Sequence, residues 1–383
     1  MPLSVAEARE FFPSLKELVW LNHGGGAPMH TRARDAVERA ATAMTEGSML
    51  TMTEGFAADR NALFDGLASM LNADPAHLTL TRATAHGLGL LAGGLDWNEG
   101  DNVVGAWKEF PTNLYPWMAL ADRGVELRRA TPQDGRVGVE QVLEQVDDRT
   151  RVVALSLVQF WNGYRADVAA IGAACRERGV IFAVDAMQAV GAVRVDVESA
   201  NVDLLAAGSM KWLLGTWGIG FCWLHPALIE RLRPVLVGMG SVADPFGNVM
   251  DPALEWAPGA RRFQESAASW LDIAAFRAGV ELLADFGHDA VEERVVGLTT
   301  RLAQALEARG HEIAAPWPRR SDESSGLMAF RTPGRTPDEN VERALAAGLF
   351  IRAYGDTNRV SPHFYNSEDE LDRLVDVLSP KDN

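Results

Sequence analysis

The chain predicts an α/β fold: a large domain with a mainly parallel sheet between helices, followed by a smaller α+β domain. Three observations carry this. Strand-like segments alternate with helical periodicity from about residue 78 to 208. Several of those strands are apolar almost throughout, as strands covered on both faces are. After about residue 255 the alternation stops, and two long helices precede a run of short strands.

Each element follows from local pattern. Helical periodicity runs over 31–45, after a glycine run that ends near Pro28, and again over 58–71. LTLTR (78–82) then precedes a helix over 85–95, and NVVGA (102–106) one over 113–123. VELRRA (125–130) precedes one over 139–146, and RVVALSLV (151–158) one over 167–178. VIFAVD (180–185) and DLLAAG (203–208) complete the alternation. Further on, helices are expected over 270–286, 289–309, 337–348 and 367–378. They are interleaved with GLMAFRT, FIRAYG and NRVSPHF, and 316–326 is a polar, Pro/Ser-rich loop. The resulting division is 1–20 as a segment packing on the small domain, 21–259 as the large domain and 260–383 as the small one.

The chain has 383 residues and a formal net charge of −16, which disfavours a general nucleic-acid or anionic-membrane binder. The N-terminus, MPLSVAEAREFF, lacks a basic segment followed by an apolar one, and no long apolar run is present, so a cytoplasmic address is expected. The two cysteines, Cys175 and Cys222, sit in apolar contexts and read as core thiols; no metal site is expected.

Two runs carry chemistry. VIFAVDAMQAVG (180–191) reads as a buried strand ending in Asp185, with Gln188 one turn on. AAGSMKWLLGTWGIGF (206–221) sets Lys211 in an apolar context before a glycine-rich turn. An acid at a strand end and a shielded lysine are what a pyridoxal 5′-phosphate (PLP) site needs. The lysine links covalently to the cofactor aldehyde, and the acid holds the pyridine nitrogen protonated. Asp185 alone also reads as a helix cap, and Gln188 as a solvated side chain.

TRATAHGLGLLA (81–92) follows a strand and opens a helix. Ala83 and Thr84 can hold a phosphate through backbone N–H groups and a hydroxyl, and Ser209 is a second donor. Gly87, Gly89 and Ala92 also match a dinucleotide fingerprint, the basis of a distant oxidoreductase alternative. Phe110 in KEFPTNLYPW is positioned to stack on a flat ring or to plug the core. Asn162 in QFWNGYRAD lies near the ring or in a simple turn. Arg359 in NRVSPHFYN suits a substrate carboxylate, with a surface arginine as the bland alternative. Within LNHGGGAP (21–28), Asn22 and Gly24 either meet the substrate or belong to an ordinary loop.

Taken together, LNHGGGAP, TRATAHG, EFPTNLYPW, VDAMQAVG, GSMKWLLGTWGIGF, RRFQES and RVSPHFYNSEDELDRL resemble the class V aminotransferase family of PLP fold type I enzymes, especially its isopenicillin N epimerase-like members. The resemblance spans nearly the whole chain. It implies a seven-stranded-type sheet, a homodimer with interfacial active sites, and an amino-acid substrate. It implies Lys211 as the cofactor lysine, Asp185 as the pyridine partner, Gln188 at the ring hydroxyl, Phe110 on the ring, Thr84 at the phosphate and Arg359 at the substrate carboxylate.

There are departures. Met210 stands where many members have His, and Ser266 is at best a substitute for the Thr that reaches a neighbouring subunit's phosphate. Cysteine desulfurases of the family need a cysteine on a C-terminal loop, and residues 310–383 contain none. That argues against persulfide chemistry. The reaction expected first is lyase-type, a β-elimination from an S-substituted cysteine in a secondary-metabolic setting. Transamination, epimerisation and decarboxylating oxidative deamination are the alternatives.

Overall fold

The computed structural model describes residues 2–247 and 249–379. Seven strands form the central sheet, in the spatial order Leu78–Thr81, Gly220–Leu224, Leu204–Gly208, Ile181–Asp185, Thr150–Ser156, Asn102–Ala106 and Glu126–Ala130. The sheet is parallel except for Gly220–Leu224, which runs antiparallel to both neighbours. The inner strands are buried along nearly their whole length, which is why their sequences read as continuous apolar runs rather than alternating ones. At the edge, Glu126–Ala130 carries Glu126, Arg128 and Arg129, charges that blunt an open strand.

Helices cover both faces, and small residues set how closely they approach. Ala33, Ala36 and Ala40 of Thr31–Glu46 pack against Ala274, Ala275 and Ala278 of Trp270–Phe286. Gly87 lies inside the helix Thr84–Gly94, where a Cβ would come within 2.6 Å of the Ala206 Cβ. That corrects the dinucleotide reading. The glycine brings helix onto sheet and is not in the strand-to-helix turn, where a pyrophosphate would need it.

Two helices differ from expectation. The one expected over 58–71 starts at Met49, capped by Ser48, whose hydroxyl accepts from Thr51 N at 3.2 Å. The one expected over 113–123 is broken into the turn Pro111–Asn113, the short helix Tyr115–Met118 and the turn Ala121–Arg123. Pro111 and Pro116 each lack an N–H and sit at helix starts, so neither segment can continue from the one before.

The C-terminal part holds a four-stranded antiparallel sheet, in the order Arg352–Tyr354, Thr357–Val360, Met328–Arg331, Glu312–Ile313. The N-terminal strand Val19–Trp20 pairs in parallel with Leu349–Phe350. The pairing continues as Ser361 N donates to Leu21 O (2.8 Å) and His23 N to Ser361 O (3.1 Å). This stitching sets Asn22 and Gly24 beside Arg359.

The turn after Ile181–Asp185 closes tightly on the lysine segment. Gly191 has φ +93°, and a Cβ there would lie 2.4 Å from Trp212 O. Gly191→Ala is expected to destabilise the protein by about 2 kcal/mol or more, read as a lower urea midpoint at unchanged slope. An unmoved midpoint would mean that the turn relaxes without penalty.

Candidate active site

Five strands deliver residues to one cavity of about 470 Å³ at their carboxyl ends, where open α/β sheets gather their ligands. Leu78–Thr81 leads to Ala83 and Thr84, and Asn102–Ala106 to Phe110. Thr150–Ser156 leads to Phe160, Ile181–Asp185 to Asp185 and Gln188, and Leu204–Gly208 to Met210 and Lys211. Gly24, Tyr354 and Arg359 close the other side.

Lys211 and Asp185 face this same cavity, both nearly buried, yet no carboxylate among the described residues comes within 4.0 Å of the lysine amine. Burial pulls the Lys211 amine down to about 8, helped by the nearby Arg359 cation and opposed by Asp185. Burial pushes the Asp185 carboxyl up to about 7, against the hydrogen bond it accepts from Met187 N at 2.9 Å; buried Glu109 adds to the rise and Lys211 opposes it. An acid that burial makes reluctant to ionise gains most from a cationic partner, such as a protonated ring nitrogen. Lys211 Nζ stands 5.6 Å from the centre of the Phe110 ring, which meets Phe160 edge-on.

The helix Thr84–Gly94 has no side-chain cap: its N-cap is Ala83, which has nothing to accept with. The N–H groups of Ala83, Thr84 and Ala85 find no acceptor among the described residues, and all three residues line the cavity. A helix start that lacks a cap and opens into a cavity is a ready-made anion cradle.

Arg359 is 1% exposed and makes no ion pair among the described residues. Its Nη1 donates to Phe160 O (3.1 Å), and Nη2 to Asn22 Oδ1 (3.4 Å) and the Tyr354 hydroxyl (3.3 Å); Nε has no partner. The Tyr354 ring covers one face, 4.1 Å from the guanidinium carbon. A buried cation without a carboxylate is costly, which is the mark of a site waiting for an anion.

The class V aminotransferase profile matches residues 34–374. The chain belongs to the class V aminotransferase family. Its cofactor is pyridoxal phosphate, and the uncapped helix start, shielded amine and buried acid around one cavity fit that group. Among curated relatives of this family member, an uncharacterised protein of Schizosaccharomyces pombe is 34% identical over 321 residues, covering 82% of this chain and 72% of that one. The isopenicillin N epimerase of Streptomyces clavuligerus is 26% identical over 387 residues, 94% of each chain. A solved apo cysteine desulfurase from Thermococcus onnurineus superposes with a TM-score of 0.89 at 20% identity, over 98% and 97% of the two chains; at that identity it shows the shared fold.

Within this class V framework, the structure brings Lys211, Asp185, Gln188, Phe110, Ala83, Thr84, Gly24 and Arg359 to the cavity wall. It places four other expected residues elsewhere. Asn162 is fully buried and spends its amide on Gly135 O (2.9 Å) and Ala315 O (2.8 Å), and its carbonyl on Tyr164 N. Together with Arg319, which donates to Gly163 O and Leu327 O, it clasps the 316–326 loop to the turn after Thr150–Ser156. Ser209 shares its hydroxyl proton between Thr216 O (2.6 Å) and Ile219 O (3.0 Å), so it braces the glycine-rich turn. Asn22 reaches the site only through Arg359. Ser266 lines an adjoining cavity of about 290 Å³ with Arg82, His86 and Asp272.

Sequence reasoning missed two residues. Glu109 is buried, its carboxylate accepting from Ser156 N (2.8 Å), Ser156 Oγ (2.5 Å) and Gln159 Nε2 (3.0 Å), and it holds Phe110 at the strand end. Tyr354 comes from a hairpin that no motif marked.

Proposed function

We propose that this class V enzyme is a PLP-dependent lyase that eliminates the β-substituent of an S-substituted cysteine. One observation carries the amino-acid part: Arg359, buried without a carboxylate, and Lys211, a shielded amine, face the same cavity. Ala83, Thr84 and Ala85 hold the cofactor phosphate, Asp185 its ring nitrogen, Gln188 its ring oxygen, and Phe110 covers its ring. Bound PLP supplies the electron sink for the pair left at Cα. Arg359 holds the substrate carboxylate. Lys211 takes the Cα proton, and the C–S bond then breaks with its electron pair leaving on sulfur, which yields a thiol and, after hydrolysis, pyruvate and ammonia. The departing side chain lies against Trp217, Phe160 and Met210, an apolar wall suited to a thioether.

Support for elimination over persulfide transfer comes from the thiols. The chain has two cysteines, both buried, with burial pushing the Cys175 thiol up to about 12 and Cys222 higher still. Neither lines the cavity. A second reading, epimerisation at Cα, draws support from the Tyr354 phenol, a second proton-bearing group on the cavity wall, and from the epimerase relative. Incubation with a panel of cysteine S-conjugates and free amino acids in deuterated water separates the readings. Released thiol and pyruvate support elimination; inverted, deuterated substrate with its C–S bond intact supports epimerisation; oxo acid alone supports transamination.

We also propose a homodimer. Val235, Leu236, Val237, Met239, Phe246, Val249, Met250 and Leu254 form an exposed apolar run, more than a soluble monomer usually leaves to water. Light scattering at micromolar concentration should give twice the chain mass; a monomer at that concentration would overturn the dimer.

The amine position predicts a pH profile for cofactor loading. Only the neutral amine attacks an aldehyde, so loading onto the cofactor-free protein should speed up about tenfold per pH unit up to about pH 8 and level off above it. Stopped-flow absorbance checks this. A rate still climbing steeply towards about pH 10, the ordinary lysine range, would show an exposed amine.

A further inference from the structure

Gln188 sits between two partners of fixed character. Its Oε1 accepts from the indole Nε1–H of Trp212 at 3.0 Å, and its Nε2 donates to the backbone oxygen of Gly24 at 2.9 Å. An indole N–H can only donate, and a carbonyl can only accept. The carboxamide therefore has one allowed orientation, with its nitrogen away from Trp212. Nε2 carries two hydrogens, and Gly24 O takes one. The other is left for the cavity that Gln188 lines.

Trp212 cannot drift from this post. It is 1% exposed, its ring lies against His363 (5.3 Å between centres), and its own carbonyl accepts from His363 Nε2 at 3.1 Å. A Cβ on Gly326 would come within 2.5 Å of the indole, and one on Gly191 within 2.4 Å of the Trp212 carbonyl. A segment of the C-terminal part therefore packs on the indole, and the turn after Asp185 packs on the Trp212 backbone.

We propose that Trp212 is a positioning residue: its indole N–H locks Gln188 so that an N–H, not a carbonyl, meets the ring oxygen of bound PLP. The proposal rests on the placement of PLP with its ring oxygen at Gln188. A donor there stabilises the ring oxygen as an anion and lowers the basicity of the oxygen–imine pair that Lys211 makes with the cofactor. Without the indole donor only Gly24 O still orients the amide, Oε1 loses its partner, and the second N–H is no longer held firmly on the ring oxygen.

The test is a visible-absorbance pH titration of the purified, cofactor-loaded protein. Trp212→Phe should raise the midpoint of the lysine–cofactor imine by about one pH unit, the size expected for a lost charge-assisted donor. Gln188→Ala should raise it similarly, and adding Trp212→Phe to Gln188→Ala should change nothing further, because the indole acts only through the amide. Should Trp212→Phe fail to fold, Gln188→Glu decides instead. A carboxylate oxygen facing the ring oxygen must raise the midpoint more than alanine does. The proposal is overturned if Trp212→Phe leaves the midpoint in place, if the two changes add in full, or if Gln188→Glu matches wild type. A wild-type protein with no visible band at all would instead sink the PLP placement on which the proposal stands.

Discussion

Replacing Lys211 with alanine is expected to remove covalent cofactor attachment and to lower turnover by about 10³-fold or more, since one side chain both anchors the cofactor and moves the Cα proton. Borohydride treatment followed by peptide mass analysis should find the reduced cofactor on the Lys211 peptide of the wild type and on no peptide of the variant. The protein itself should stay folded. The lysine is buried without an ion pair among the described residues, so its loss removes a desolvated charge rather than a strong contact. Appreciable residual turnover, or a reduced adduct on another lysine, would show that a different amine serves the site.

Arg359→Met should lower kcat/KM by about 10- to 100-fold through KM, the worth of a charge-assisted carboxylate pair. The same change should leave the thermal midpoint of the substrate-free protein level or higher. Burial already depresses the guanidinium to about 10, and it faces Phe160 O, Asn22 and Tyr354 rather than a carboxylate. An apolar chain of similar length removes that burial penalty. Loss of stability in parallel with activity would make Arg359 a structural prop instead. The opposed directions of the two readouts, weaker binding with undiminished stability, are the sign of a residue kept for its ligand.

Much of this was legible beforehand, for physical reasons that also explain the gaps. Asp185 and Lys211 stood out because each is an ionisable group in an apolar run, and burying charge is expensive unless it has work to do. The parallel sheet was legible because its inner strands are apolar on both faces. The reversed direction of Gly220–Leu224 leaves no trace in composition, since buried strands look alike either way. The one clue was the short, helix-free link from Gly208, too brief for a crossover. Glu109 was invisible because a charged residue next to Lys108 and just past a strand reads as exposed loop; only the fold brings Ser156 and Gln159 to its carboxylate. Asn162 misled for the opposite reason. Its place after a central strand suggested ligand contact, but the carbonyls of two other segments, at Gly135 and Ala315, claimed its amide first. Lys211 is sharp in sequence; the neighbours that tune it come from segments far apart in the chain.

The pairing of Leu78–Thr81 with Gly220–Leu224 bears on how the protein is made. Until Gly220–Leu224 has been made, the strand that leads into the anion cradle has no sheet neighbour, and its apolar side chains stay uncovered. The Gly24 N–H is likewise held by the Ser361 hydroxyl, 337 residues further along the chain. Such long-range pairings form slowly and leave nascent chains in need of chaperones. The cofactor cavity, lined by both Gly24 and Arg359, is therefore complete only once the segment through Ser361 has been made.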